Sequence, residues 1–302
     1  MARWQRYEFS QVRMGVDTPM VVYAAREEQA IQACRAAYAR ISALEAMMSD
    51  YRADSELNQL CQRAVGRWVR VSPELFYVLW RAQKLARQTG GAFDVTVGAL
   101  VRLWREARRT GKLPDDATLR AARARAGYKL MTLCPRRRAV QLQAEGMQLD
   151  LGGIAKGYAC DWALRVLRRR GITRALVQMG GDIVAGDAPP DAQGWRIALA
   201  EGGATTLRRA ALSTSGSTEQ YVEIGGVRYA HLIDPRTGLG LTKLTLARVR
   251  APDGITADSL ATAAAVLGMP EAKRLEQLYR GVEVEVSFGA AAGTPPPHRR
   301  SG

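Results

Sequence analysis

The chain has 302 residues, enough for one large core or two small ones, and 47% of them are hydrophobic, an ordinary globular fraction. Its 44 Lys and Arg against 29 Asp and Glu give a net charge of +15. No run of about 18 apolar residues occurs, which excludes an ordinary membrane-spanning helix, and the opening MARWQRYEFSQVRMG lacks the apolar stretch and small-residue cleavage site of a secretory signal. Residues 6–24 alternate and carry Val, Tyr and Phe around GVDTPM, a β-hairpin pattern. Residues 26–47 place Ile31, Cys34, Tyr38, Ile41 and Leu44 at helical spacing. A polar loop, SDYRADSELNQL, then feeds a short helix capped by Ser55, and WVRV is a short strand. Ser72-Pro73 opens a helix that Gly90-Gly91 closes. GALVRLWREARR and DDATLRAARARAG read as helices, residues 129–151 as two strands around CPRRR, and IAKGYACDWALRVLRRR as a helix with basic residues in its last turn.

Residues 174–250 are mostly strand: ALVQM, DIVAG, WRIALA, TLRRAALST, QYVEI, VRYAHLI and TKLTLARVR. Helices near 256–267 and 270–280 and a strand, VEVEV, follow. Hairpin links outnumber helical crossovers, so the expected class is α+β with largely antiparallel strands and packed helices. The expected organisation is one domain over residues 1–288 and a disordered tail over 289–302, which holds His298.

The basic residues lie among acidic partners, as in REEQAIQACRAAYAR and PEAKRLEQLYR. The dense clusters Arg105/Arg108/Arg109, Arg136-Arg137-Arg138 and Arg168-Arg169-Arg170 do not interleave with aromatics on a strand pattern. They read as a solvated surface that attracts anions, and no nucleic-acid interface is expected. Cys34, Cys61, Cys134 and Cys160 form no CxxC pair and read as reduced core thiols.

Several stretches have two readings. In LDLGGIAKGYA a strand ends at Asp150, two glycines allow a tight turn, and a helix begins with Lys156 in its first turn. This is either an anion site at a helix N-terminus or a plain strand-turn-helix corner. In GITADSLATAAAVLG, Asp258 and Thr262 stand four apart on one helix face. They suit a hard cation such as Mg2+, or they are a helix-start acid and a packed Thr. Phe93 and Asp94 in GGAFDVTVG either meet a base or ribose or cap a helix; Met14 and Tyr51 offer apolar or flat surfaces from loops. Asp182 in VQMGGDIVAG is a turn former or a structural acid under a site, and TSGST at 214–218 is a small-polar loop.

Taken together, MGVDTPM, MMSDYRADSELNQL, GGAFDVTVGALVRLW, LDLGGIAKGYACDWA, LVQMGGDIVAGD, STSGSTEQYVEI, RYAHLIDPRTG and ITADSLATAAAVLG follow the order found in the FAD:protein FMN transferase (ApbE) family, which the chain resembles over roughly residues 8–288. The resemblance implies an ApbE-like fold with the flavin site in a central cleft. It implies Mg2+-dependent transfer of FMN from FAD to a Ser or Thr hydroxyl of a target protein, with release of AMP; the alternative is a Mg2+-dependent FAD pyrophosphatase giving FMN and AMP. It further implies that Met14, Tyr51, Ala92, Phe93, Asp94, Asp150 and Lys156 contact FAD, that Gly153 (by its carbonyl), Asp258 and Thr262 hold the metal, and that His231 lies at the reaction centre. A neutral imidazole there can take the proton of the attacking hydroxyl. The partners implied are FAD and an acceptor protein with a Ser/Thr flavinylation motif. Ser217 stands where many members have Asp. Many members are also exported and lipid-anchored; with neither signal peptide nor lipid-attachment Cys in view, the chain as it stands is expected to be cytoplasmic.

Overall fold

The computed structural model describes residues 4–199, 201–216 and 221–288. The tail at 289–302 and Ser217 lie outside the described residues. The N-terminal hairpin is β1 (Gln5–Arg13) and β2 (Val16–Ala24), paired without a break. Its turn is Met14-Gly15, with φ of 49° and 77°, the two left-handed residues that a tight hairpin requires. The turn thus comes before Asp17-Thr18-Pro19, which runs on as strand. Pro19 is tolerated there because the next strand pairs with β2 only over Met20–Val22.

Then come α1 (Glu27–Met48), α2 (Glu56–Arg63), β3 (Val69–Arg70), α3 (Pro73–Gln88), α4 (Gly98–Thr110), α5 (Asp116–Arg123), β4 (Met131–Cys134) and β5 (Ala139–Leu142). The expected caps form: the Ser55 and Ser72 hydroxyls accept from the amides of Asn58 (3.1 Å) and Leu75 (3.3 Å). Beyond them lie α6 (Ala155–Arg169), β6 (Ala175–Met179), β7 (Asp182–Ala185), β8 (Trp195–Ala198), β9 (Ala204–Leu207), β10 (Ala210–Gly216), β11 (Tyr221–Ile224), β12 (Val227–Ala230), β13 (Ile233–Asp234), β14 (Leu239–Gly240), β15 (Thr245–Ala251), α7 (Gly254–Leu267), α8 (Leu275–Leu278) and β16 (Glu283–Phe288). Four stretches depart from the sequence reading. No strand ends at Asp150: β5 stops at Leu142, and residues 143–150 reach the glycine turn as irregular chain held by single hydrogen bonds such as Asp150 to Val95. TLRRAALST splits into β9 and β10, broken at Arg209 with φ of 46°. VRYAHLI breaks at His231, between β12 and β13. The helix expected at 270–280 is a 3-10 turn, Glu271–Arg274, and the single-turn α8.

The main sheet runs β1-β2-β6-β7-β10-β15-β16, and every neighbouring pair is antiparallel, so the α+β class holds. Alternation along the strands separates two cores: Val177 and Met179 of β6 face the main cluster with α1, α6 and α7, while Leu176 faces a smaller one with Trp195 and Leu207 of the β8–β9 hairpin. A third cluster gathers Leu100 and Trp104 of α4, Ala122 of α5 and Ile233 of β13. Cys34, Cys61 and Cys160 are buried, burial pushes their thiols up (Cys34 to about 12, Cys61 to about 11), and all four cysteines are free thiols, matching the core-thiol reading. Among the described residues, no helix is long and apolar enough to cross a membrane.

The antiparallel pair α6–α7 positions the candidate site. A Cβ added to Gly157 would stand 2.1 Å from the Gly254 carbonyl oxygen, and one added to Gly254 would stand 2.4 Å from that of Gly157. Only two glycines let the backbones come this close. Three positions four residues apart then match: Gly153 lies against Thr262, Gly157 against Asp258, and Asp161 against Gly254.

Candidate active site

Asp258 is 3% exposed, and its Oδ2 accepts from the Gly157 amide at 2.9 Å. Burial first, and then the Asp182 charge, push its carboxyl above the usual carboxylate range against the pull of Lys156. The Lys156 ammonium donates to the Gly152 carbonyl (2.9 Å), stands 3.3 Å from Asp182 Oδ2 and 3.9 Å from Asp258 Oδ1. Burial alone would lower its pKa; the two carboxylates together hold it above its ordinary value. Asp182 is 4% exposed and accepts from the Ser213 hydroxyl of β10 at 2.6 Å. Of its two sequence readings, the turn former is not the one observed: Asp182 is a buried, paired acid in β7.

Of the two sequence readings of the start of α6, an open anion site or a plain corner, the amides do not favour the first, because they do not stand open. The Ala155 amide donates to the Leu151 carbonyl (2.9 Å) and that of Gly157 to Asp258, so the chain supplies its own anion at this helix end. The dipole of α7, which would disfavour a cation near Asp258, is met by two acids. Asp253 accepts from the Thr256 amide (2.9 Å), and Asp161 of α6 accepts from those of Gly254 (2.7 Å) and Ile255 (3.0 Å). Asp161 escaped the sequence reading because its partner lies on another helix.

Gly153 and Thr262 do meet: a Cβ on Gly153 would fall 2.8 Å from Thr262 Oγ1. Asp150 Oδ1 accepts from the Gly152 amide at 2.7 Å, which closes the glycine turn, and its Oδ2 accepts from Arg105 of α4 at 3.1 Å. Burial, then Asp50, raises the Asp150 carboxyl. The Ala92–Asp94 segment runs alongside, since the Asp150 amide donates to Val95 (2.8 Å) and that of Gly98 to Gln148 (3.0 Å). Ala92 (1% exposed) and Phe93 (3%) are buried side chains, so the backbone is what this segment can present. Asp94 caps the Val95–Val97 turn, accepting from the Thr96 amide (2.8 Å) and hydroxyl (2.7 Å), and burial raises its carboxyl. Tyr51 is 77% exposed, with Arg105 4.2 Å from its ring centre. Met14 is at the β1–β2 turn, where Val16 lies in van der Waals reach of a Cβ on Gly180, two residues before Asp182.

His231 is half-buried at the β12–β13 corner. The corner is held by hydrogen bonds from Ala230 to Leu241 and from Leu241 to Leu232, both 2.8 Å. The following turn is locked by Arg236, whose amide and guanidinium donate to Asp234 at 2.8–2.9 Å. Tyr229 packs on Trp104 of α4 (5.1 Å between rings), and Trp104 Nε1 donates to the Gly238 carbonyl at 2.8 Å. The arm that carries His231 and the clamp on Asp150 therefore share α4 as their platform. Arg105 also corrects the sequence reading of its cluster as solvated: its side chain is only 26% exposed and is paired. A cavity of about 890 Å3 lies at the Asp161 end of the helix pair, lined by Tyr158, Trp162 and Arg165 among others, with neither Lys156 nor Asp258 in its wall.

An antiparallel α+β body thus gathers two buried carboxylates, a lysine and a glycine turn at one helix pair. A profile of the ApbE family matches residues 14–286. The FAD:protein FMN transferase of Treponema pallidum is 32% identical over 312 residues, spanning 95% of this chain and 86% of that protein. The protein of the same name from Vibrio cholerae is 36% identical over 73% of this chain and 69% of its own length. Among solved structures, a histidine-to-glycine mutant of the flavin transferase ApbE from Vibrio cholerae superposes with a TM-score of 0.85 at 29% identity, over 96% of this chain and 95% of that one. The ApbE protein of Thermotoga maritima gives 0.83 at 27% identity, over 94% of each. The chain belongs to the ApbE family.

Proposed function

We propose that the chain transfers FMN from FAD to a Ser or Thr hydroxyl of an acceptor protein, with AMP leaving and Mg2+ held at the Asp258 cluster. The single observation that carries this is that cluster: one lysine between two buried carboxylates, with Gly153 and Thr262 packed beside it. The residues present suit the ion. Asp258, the Thr262 hydroxyl and the Gly153 carbonyl are hard oxygen donors, and one ammonium leaves two buried carboxylates under-neutralised. Bound there, Mg2+ supplies neutralisation of the pyrophosphate charge.

The chain's own groups do the rest. Lys156 presents a fixed positive charge to the phosphates, and Asp182 with Ser213 keeps it from swinging away. His231 accepts the proton of the acceptor hydroxyl as its oxygen bonds to the FMN phosphorus and the bond to AMP breaks. The Asp234–Arg236 lock holds the corner from which the imidazole projects.

The test is incubation with FAD, Mg2+ and an acceptor polypeptide bearing a Ser/Thr-Gly-Ala-Thr-like segment, read by intact mass. An FMN adduct that vanishes with EDTA is expected. FMN and AMP formed without an adduct on any acceptor would replace the reading with an FAD pyrophosphatase; no turnover of FAD at all would overturn both.

A further inference from the structure

Arg105 is half-buried, and its three partners come from two separate segments. Its guanidinium pairs with Asp50 and, at 3.1 Å, with Asp150, and it lies 4.2 Å from the Tyr51 ring centre. Asp50 and Tyr51 belong to the loop after α1; Asp150 begins the glycine turn. The loop is also gripped from below by Asn58, whose Nδ2 donates to the carbonyls of Asp50 (3.0 Å) and Arg52 (2.7 Å). Tyr51 nevertheless remains 77% exposed. An aromatic ring backed by a guanidinium and otherwise open to water is a flat platform whose position is fixed before a ligand arrives.

We infer that Arg105 is a positioning residue for FAD: it holds Tyr51 as a preorganised platform for one of the dinucleotide's two planar rings and ties that platform to the Asp150 turn. This rests on the FMN-transferase reading of the same site. Preorganisation lowers the ordering cost of binding. It acts on the bound ground state and the transition state alike, so it sets KM and leaves kcat at saturation. Only arginine combines a planar stacking face with a fork that reaches two carboxylates; a lysine has the charge without either.

The experiment compares wild type, Arg105→Ala and Arg105→Lys in FAD transfer kinetics, in affinity for FMN and for AMP separately, and in melting temperature. KM for FAD is expected to rise about tenfold in Arg105→Ala, the size of one partly desolvated cation–π contact with one ion pair. The lysine variant should recover little, and free guanidinium should restore much of the alanine variant's affinity. Affinity should fall for FMN or for AMP, whichever ring rests on Tyr51, and hold for the other. Equal loss for both, or a fall in kcat and melting temperature without guanidinium rescue, would overturn the positioning role. So would an unchanged KM in Arg105→Ala. A wild-type protein that binds no FAD would instead sink the transferase reading on which this rests.

Discussion

Two trios in this molecule have the same charge pattern and carboxylates at different depth. Lys156 sits between Asp182 and Asp258, whose side chains are 5% and 4% exposed; Arg105 sits between Asp50 and Asp150, at 16% and 13%. Each trio sets one positive charge against two carboxylates. In the deeper one, the lysine is a point charge 3.3 Å from Asp182 but 3.9 Å from Asp258, so Asp258 is the less fully paired of its two acids. That leaves negative charge which a cation can settle. In the shallower one the guanidinium binds both acids directly and spends its face on Tyr51. On the proposed reading, the first trio takes up a cation and the second fixes geometry.

The comparison can be broken most severely at Asp258. Asp258→Ala should reduce FMN transfer to background at ordinary Mg2+ while far-UV circular dichroism stays native, because a Lewis-acid cation contributes several kcal/mol to such a reaction. Wild-type turnover in that variant would put the cation elsewhere. His231 belongs to neither trio. His231→Ala should slow transfer about 10²–10⁴-fold, the usual worth of a general base, with FAD affinity and melting temperature kept. Loss of stability and binding together would return it to a structural part.

Smaller effects sharpen the difference in depth. Asp182→Asn removes a buried carboxylate from the half-buried lysine and should cost about 1–3 kcal/mol of unfolding free energy by urea titration. Asp50→Asn, nearer the surface, should cost less than about 1 kcal/mol. Equal costs would mean that depth does not separate the two trios.

Much of this was readable beforehand, and what was not has a physical reason. The Ser55 and Ser72 caps, the glycine turn after Asp150 and the shared face of Asp258 and Thr262 are local signals, set by spacings of a few residues, and each appears as expected. Asp182 stayed ambiguous because only the sheet order, with β7 beside β10, brings Ser213 to it and sets its acid under α6. Arg105 and Asp161 looked like ordinary surface charges on amphipathic helices; their partners are 45 or more residues away. The ring of Phe93 fills the main core, so a ligand contact at this position would be made by its backbone, which spacing alone does not distinguish from a side-chain contact.

The central claim, a cation-dependent FMN transfer at the α6–α7 pair, is tested most directly by intact mass measurement of an acceptor polypeptide after incubation with FAD and Mg2+, using wild type and Asp258→Asn side by side. The account predicts an FMN adduct on a Ser or Thr of the acceptor with wild type, lost with EDTA and absent with Asp258→Asn. An adduct formed equally by both proteins, or by wild type in EDTA, would contradict it.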